Sequence, residues 1–243
     1  MRDYQDVVSN RFDQEVDSSS SIYSPNHPIG KYIRKYLFEA LNEFSSLYYP
    51  NSSFRKNEKL LDLGCGSGGM VGYFMRNGFS GINTIGADYS KTRIEKAQLK
   101  YPDVRFVCAD ALLLDLEEKH FGLITSFDLL SHFKTKDQVI TALNKIYNHL
   151  SDDGIFLWYD ICSKNHFNAP ENADSWGFNK EQMINLANEV GFELVFYRPL
   201  FKQFFNKYQS VYQVAKLPSK LIRFFEIVLP GSPGNMMMGF KKK

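Results

Sequence analysis

Leu60-Leu61-Asp62-Leu63-Gly64-Cys65-Gly66-Ser67-Gly68-Gly69 is a short apolar run that meets an acid and then alternates glycine with small residues. Leu60 to Leu63 read as a buried strand. The glycines let the backbone turn sharply and come within contact of a ligand that any Cβ would hold off, which is the signature of a nucleotide-cradling turn. From Gly69 to Met75 the pattern becomes helical, and Asn77-Gly78 closes it. Gly64, Gly66 and Gly69 also satisfy the dinucleotide pattern G-x-G-x-x-G, with Asp88 about twenty residues beyond, so the glycines alone do not separate the possible nucleotides.

The acids around the turn separate them. Asp62 stands two residues before the first glycine, where it can meet an ammonium group and would repel a pyrophosphate. Asp88 ends the strand pattern Thr84-Ile85-Gly86-Ala87-Asp88 and suits two ribose hydroxyls, a role open to either ligand. Asp110, in Val104-Arg105-Phe106-Val107-Cys108-Ala109-Asp110-Ala111, ends a third strand and can accept from an adenine amino group. Any one of these acids could be a helix cap or a solvated loop end, but that reading does not explain all three in register. Together they favour S-adenosylmethionine, a cationic ligand with an amino acid, a ribose and an adenine, over a nicotinamide or a flavin.

On these motifs the chain resembles the class I S-adenosylmethionine-dependent methyltransferases from about Lys59 to its end. The resemblance implies a Rossmann-like α/β fold, a doubly wound seven-stranded and mostly parallel sheet closed by a C-terminal antiparallel hairpin. It implies S-adenosylmethionine as cofactor and S-adenosylhomocysteine as product. By position it assigns Asp62, Gly64, Gly66 and Gly68 to the methionine end, Asp88 to the ribose, and Asp110 and Ala111 to the adenine, with Cys65, Tyr89, Ser126 and Phe127 completing the cofactor set.

The order of elements agrees. Ile33, Tyr36, Leu37, Ala40, Leu41, Phe44 and Leu47 form a helical stripe ahead of the turn. After it come strand 83–88, helix 90–100, strands 104–109 and 122–127, helix 136–150 and strand 154–159, an alternation that means a parallel sheet. Thr135 and Gln138 have capping-box spacing, Asn179 starts another helix, and Gly191 stands where that helix would stop. Phe192–Tyr197 and Asn235–Phe240 read as the last two strands. Residues 1–28 are polar and form an arm or lid, in which Tyr23 and His27 are candidates to close over the substrate. Residues 29–243 form a single domain with an aromatic insert at about 199–233, whose spacing of three and four is helical and whose rings fit packing against the sheet, a wall of the substrate site or support of a dimer.

Ligands of open parallel sheets bind beyond the carboxyl ends of the strands. That directs attention to Ser126, Phe127, Asp128 and His132 after the fourth strand, and to Tyr159 and Asp160 after the fifth. His132 is the leading candidate for a general base that takes a hydroxyl proton; a structural histidine is the competing reading. Asp128 and Asp160 are the other catalytic candidates, Asp128 competing with a simple turn cap and Tyr159 with a buried strand end. Phe156-Leu157-Trp158-Tyr159-Asp160 followed by Asn165 and Asn168 resembles bacterial methyltransferases of surface-polysaccharide biosynthesis. The expected reaction is therefore methylation of a hydroxyl on a small polar acceptor such as a sugar or sugar derivative. A small-metabolite N-methyltransferase is the alternative. A nucleic-acid acceptor is disfavoured, because relatives that methylate amino groups of nucleic acid carry an acid or amide followed by two prolines and an aromatic where Ser126-Phe127-Asp128-Leu129 stands.

Composition bounds the rest. The 243 residues are 44% hydrophobic with a net charge of +2, enough for one sizeable core and too little positive charge for a nucleic-acid footprint. Cys65, Cys108 and Cys162 are odd in number and widely spaced, which suggests neither a disulfide framework nor a zinc site and fits a reducing cytoplasm. Asp128, Asp160 and Asn165 only loosely imitate the magnesium ligands of some relatives, so no metal is expected. No run reaches the roughly eighteen apolar residues of a membrane span. A soluble monomer or homodimer acting on a small molecule is expected.

Overall fold

The computed structural model describes residues 28–51, 56–163, 175, 177–202 and 218–243. Tyr23, His27, Asn165, Asn168 and the middle of the aromatic insert lie outside the described residues.

Seven strands form one sheet: β1 (Leu60–Leu63), β2 (Thr84–Asp88), β3 (Arg105–Cys108), β4 (Phe121–Phe127), β5 (Leu150–Ile161), β6 (Phe192–Lys202) and β7 (Pro233–Lys242). Their order is β3-β2-β1-β4-β5-β7-β6. The pairs β1–β2, β1–β4, β2–β3 and β4–β5 are parallel, and β7 runs antiparallel to both β5 and β6. The chain therefore reverses direction across the sheet between β1 and β4. The ends of β1 and β4 are neighbours there, with Leu63 opposite Ser126.

Helices α1 (Pro28–Tyr48), α2 (Gly69–Arg76), α3 (Lys91–Lys100), α4 (Lys136–His149), α5 (Lys180–Val190) and α6 (Ser219–Val228) complete the described elements, with short 3-10 turns at Gly81–Asn83 and Leu130–His132. Period-two alternation divides the strand residues between two cores. Leu60, Leu123 and Leu157 pack with Leu41 and Phe44 of α1 and Phe74 of α2. Leu61, Ile124 and Phe156 pack with Leu143 of α4 and Met183 of α5. Both cores are close to fully buried, and a buried Leu or Phe contributes about 1.5–3 kcal/mol relative to exposure.

The caps expected from sequence are present. Gln138 N–H donates to Thr135 Oγ1 at 3.2 Å while Thr135 N–H donates to Gln138 Oε1 at 3.3 Å. Gln182 N–H donates to Asn179 Oδ1 at 2.7 Å, and Gly191 takes the left-handed conformation, φ 106°, that ends α5. Each cap is worth about 1 kcal/mol. Several boundaries differ from expectation: β5 begins at Leu150 instead of position 154, and α1 begins at Pro28, inside the stretch expected to be the arm. Strand β6 runs on to Lys202, into the stretch read as insert, because Leu200 continues the buried alternation and β7 pairs out to Pro233. Within the same stretch, residues 219–228 form α6.

Candidate functional site

The turn after β1 carries three left-handed glycines, Gly64 (φ 79°), Gly66 (φ 53°) and Gly68 (φ 77°). An ordinary residue pays about 1–2 kcal/mol for that conformation. Space is limiting too: a Cβ on Gly64 would lie 3.1 Å from Leu129 Cβ. The turn is tied to the second strand, since Gly64 N–H donates to Ala87 O at 2.8 Å and Gly66 N–H donates to Asp88 Oδ2 at 2.8 Å. The other Asp88 oxygen accepts from Ser90 N–H at 2.9 Å. Helix α2 then begins with no side-chain cap on its first amide N–H groups, an end that suits an anionic group.

Asp62 is buried on the face shared with α1 and α2. Its Oδ1 accepts from Thr125 Oγ1 at 2.7 Å, a contact set by the register that puts Asp62 beside Thr125. Its Oδ2 is buried with no hydrogen-bond partner. Burial pushes the carboxyl up to about 7, against the Thr125 hydrogen bond, and Asp88 adds to the rise. The hydroxyls of Ser67 in the turn and Ser126 at the end of β4 are likewise buried and unpartnered. Such groups are rare in folded proteins and need a reason. A ligand bearing an ammonium supplies one for Asp62, so the residues present fit S-adenosylmethionine. Burial pushes the Cys65 thiol well above its usual range, so Cys65 is a wall of the turn and not a nucleophile.

Asp110 is half-buried, with Oδ1 accepting from Leu112 N–H at 2.8 Å; Ala111 is buried beside it and Tyr89 is partly exposed. Arg93 was not singled out from the sequence. Its guanidinium carbon lies 3.3 Å from where a Gly66 Cβ would stand, and its Nη1 is 4.0 Å from Asp88 Oδ2. The available signal was its place three residues after Ser90, whose side chain caps α3 by accepting from Arg93 N–H at 3.2 Å.

The second half of the site lies at the ends of β4 and β5. Asp128 has φ 51°, a conformation uncommon outside glycine, and its N–H donates to Tyr159 O at 2.9 Å. The bend turns the chain back so that Leu129 covers Gly64 and residues 130–132 make a 3-10 turn. Asp160 is fully buried on the opposite face of the sheet from Asp62. Its Oδ2 accepts from Ser131 N–H and its Oδ1 from Ile161 N–H, both at 3.0 Å. Burial pushes Asp160 up to about 6, opposed by these donors. Desolvation, then Asp160, pushes Asp128 well above the usual carboxylate range. Asp128 is nevertheless exposed at the surface. Asp160 has amide donors that stabilise its ionised form, and the Asp128 carboxyl has no such donor among the described residues, so the rise is larger at Asp128.

His132 closes the 3-10 turn, half-buried, with its N–H donating to Leu129 O at 3.0 Å. Phe127 packs at 5.9 Å from the ring of Tyr159, which is buried in the α1 and α2 core. Trp158 is fully buried edge-on against Phe178 at 5.4 Å, the structural role rather than a binding one. Among the described residues, no group of three or more His, Cys, Asp or Glu side chains could hold a metal ion.

Residues 60–154 match a family model described as a methyltransferase domain. The chain is 27% identical over 150 residues to (S)-coclaurine N-methyltransferase of Papaver somniferum, a match covering 59% of this chain and 41% of that protein. It is 27% identical over 197 residues to carboxy-S-adenosyl-L-methionine synthase of Helicobacter pylori, covering 78% and 75%. Among solved structures, magnesium protoporphyrin IX methyltransferase from Synechocystis, with bound S-adenosylmethionine, superposes with a TM-score of 0.64 at 12% identity, covering 100% of this chain and 99% of that one. At that identity the likeness shows the fold alone.

Proposed function

We propose, from the premise that this chain belongs to the class I S-adenosylmethionine-dependent methyltransferases, that it methylates a hydroxyl of a small polar acceptor, such as a sugar derivative, with Asp128 receiving the proton. The cofactor, when bound, supplies an electrophilic methyl carbon on a sulfonium, and S-adenosylhomocysteine leaves. Asp62 would hold the ammonium of its methionine end, Asp88 its ribose, and Asp110 and Ala111 its adenine.

Transfer needs the acceptor oxygen in line with the methyl carbon, and a place for the hydroxyl proton as the new carbon–oxygen bond forms and the carbon–sulfur bond breaks. The observation that carries the reading is the Asp128–Asp160 pair at the edge between the two halves of the site. Asp128 is open and held in a rare backbone conformation, whereas Asp160 is enclosed and bound to Ser131 N–H. Asp160 is thus a positioning residue that fixes the turn carrying His132, and Asp128 is the group able to reach an acceptor. A carboxyl raised toward neutrality is a better base than an ordinary one, provided the pH is high enough to ionise it. A cationic sulfonium nearby favours that ionisation.

Turnover of wild type, Asp128→Asn and His132→Ala across pH tests this. Asp128→Asn is expected to lower kcat about 100-fold or more and to remove the rise of rate with pH, whereas His132→Ala keeps that rise. The reverse pattern would transfer the role of base to His132. A second reading, N-methylation of a small amine, is favoured by the exposed carboxyl of Asp128 and by the N-methyltransferase relative. A matched panel of alcohols and amines separates the two.

A further inference from the structure

Helix α6 buries Ile222 and Glu226, one turn apart, against the body of the protein. Its outer side is apolar as well. Leu221, Phe224, Ile227 and Val228, followed by Leu229, are 38% to 64% exposed, and positions 221, 224 and 228 fall on one helical stripe. The helix is firmly attached. Lys202 N–H donates to Glu226 Oε2 at 2.9 Å, Lys202 Nζ donates to the carbonyls of Ile227 and Leu229, and the Arg223 guanidinium sits 4.6 Å over the Tyr36 ring of α1. These contacts hold the stripe outward. Since β5 and β6 both run antiparallel to β7, α6 follows β6 at the carboxyl end of the sheet, the end at which Asp128 follows β4.

Positive charge gathers at this place. Exposed Lys220 and Arg223 belong to α6, and exposed Lys31 and Lys35 lie one turn apart on α1, with Lys35 Nζ 5.6 Å from the same Tyr36 ring. Neither helix has an acid in its first turn, and Glu226 points inward. With a net charge of only +2 for the whole chain, this is a local concentration. A two-fold dimer through this face would set the same positively charged patch of both subunits together. An anionic bilayer accepts both features, apolar side chains entering the acyl boundary and ammonium groups meeting headgroup phosphates.

We propose that α6 and the start of α1 dock this protein on an anionic phospholipid surface, holding the methyl-transfer edge beside it. No described helix is long and apolar enough to cross a membrane, so the association is peripheral. The test is co-sedimentation of the full chain with phosphatidylglycerol/phosphatidylcholine vesicles and with phosphatidylcholine alone. Binding is expected to the anionic vesicles, weakened by salt. It should fall about tenfold or more in the Phe224→Ser/Ile227→Ser variant and about fivefold in Lys220→Ala, with S-adenosylhomocysteine affinity and melting temperature unchanged in Lys220→Ala. No binding to anionic vesicles, equal binding to neutral ones, or undiminished binding by both variants overturns the proposal. So does a stable dimer in sedimentation equilibrium that Phe224→Ser dissolves. Because the readout is vesicle binding, it stands or falls separately from the acceptor assignment.

Discussion

The ends of β1 to β3 and the ends of β4 and β5 both carry acids, but they use them differently. Around the glycine turn, Asp88 is committed to backbone donors and Asp62 keeps one oxygen unpartnered, so the fold arranges charge for a ligand that arrives from outside. At β4 and β5 the acids answer each other. Asp160 is satisfied by Ser131 and Ile161, and Asp128 is raised well above the usual carboxylate range, by desolvation and then by Asp160, on a backbone at φ 51°. In the proposed function the first half would bind by unmet electrostatic demand, and the second would accept a proton on a fixed turn once Asp128 ionises.

That contrast can be broken in solution. Asp62 holds its proton to about 7 and Asp160 to about 6, both above an ordinary 3.8, so the folded state binds protons more tightly than the unfolded chain. The stabilisation from such raised acids is full below the unfolded pKa, near 4, and is lost as pH rises through 6 and 7. The bare protein should therefore be less stable at pH 8 than at pH 5. Between pH 5 and pH 8 a carboxyl kept protonated to about 7 accounts for roughly 3 kcal/mol. Urea unfolding at the two pH values checks this, and S-adenosylhomocysteine should recover part of the loss. A smaller effect, about 2 kcal/mol, is expected for Gly64→Ala in the same assay, from the left-handed backbone and the contact with Leu129. The smallest is a null: EDTA should leave turnover unchanged, and its loss with recovery on adding magnesium would show that Asp128 and Asp160 serve a metal and not a proton.

The two halves also differ in how far the sequence reveals them. The glycine turn and Asp88 are local: Gly66 and Asp88 are joined by a hydrogen bond between neighbouring strands, each recognisable by its own pattern. The caps at Thr135 and Asn179 are local in the same way. Asp160 is harder to read, because its burial depends on a 3-10 turn donated by a segment 29 residues away. Tyr159 follows the alternation of β5 into the core beside Leu157, which a motif ending in two polar residues hides. The helical spacing of the insert's aromatics is met by α6, whereas the extension of β6 into the insert becomes visible only once pairing with β7 and the anchor at Lys202 are in place.

Calorimetric titration of wild type and Asp62→Asn with S-adenosylhomocysteine, side by side at pH 8, tests the central claim most directly. The account predicts measurable affinity for wild type and a loss of about 100-fold in the variant, the scale for an unpaired buried charge partner, with stability equal or higher because a buried carboxyl is removed. Equal affinity in the two proteins, or none in wild type, would contradict it.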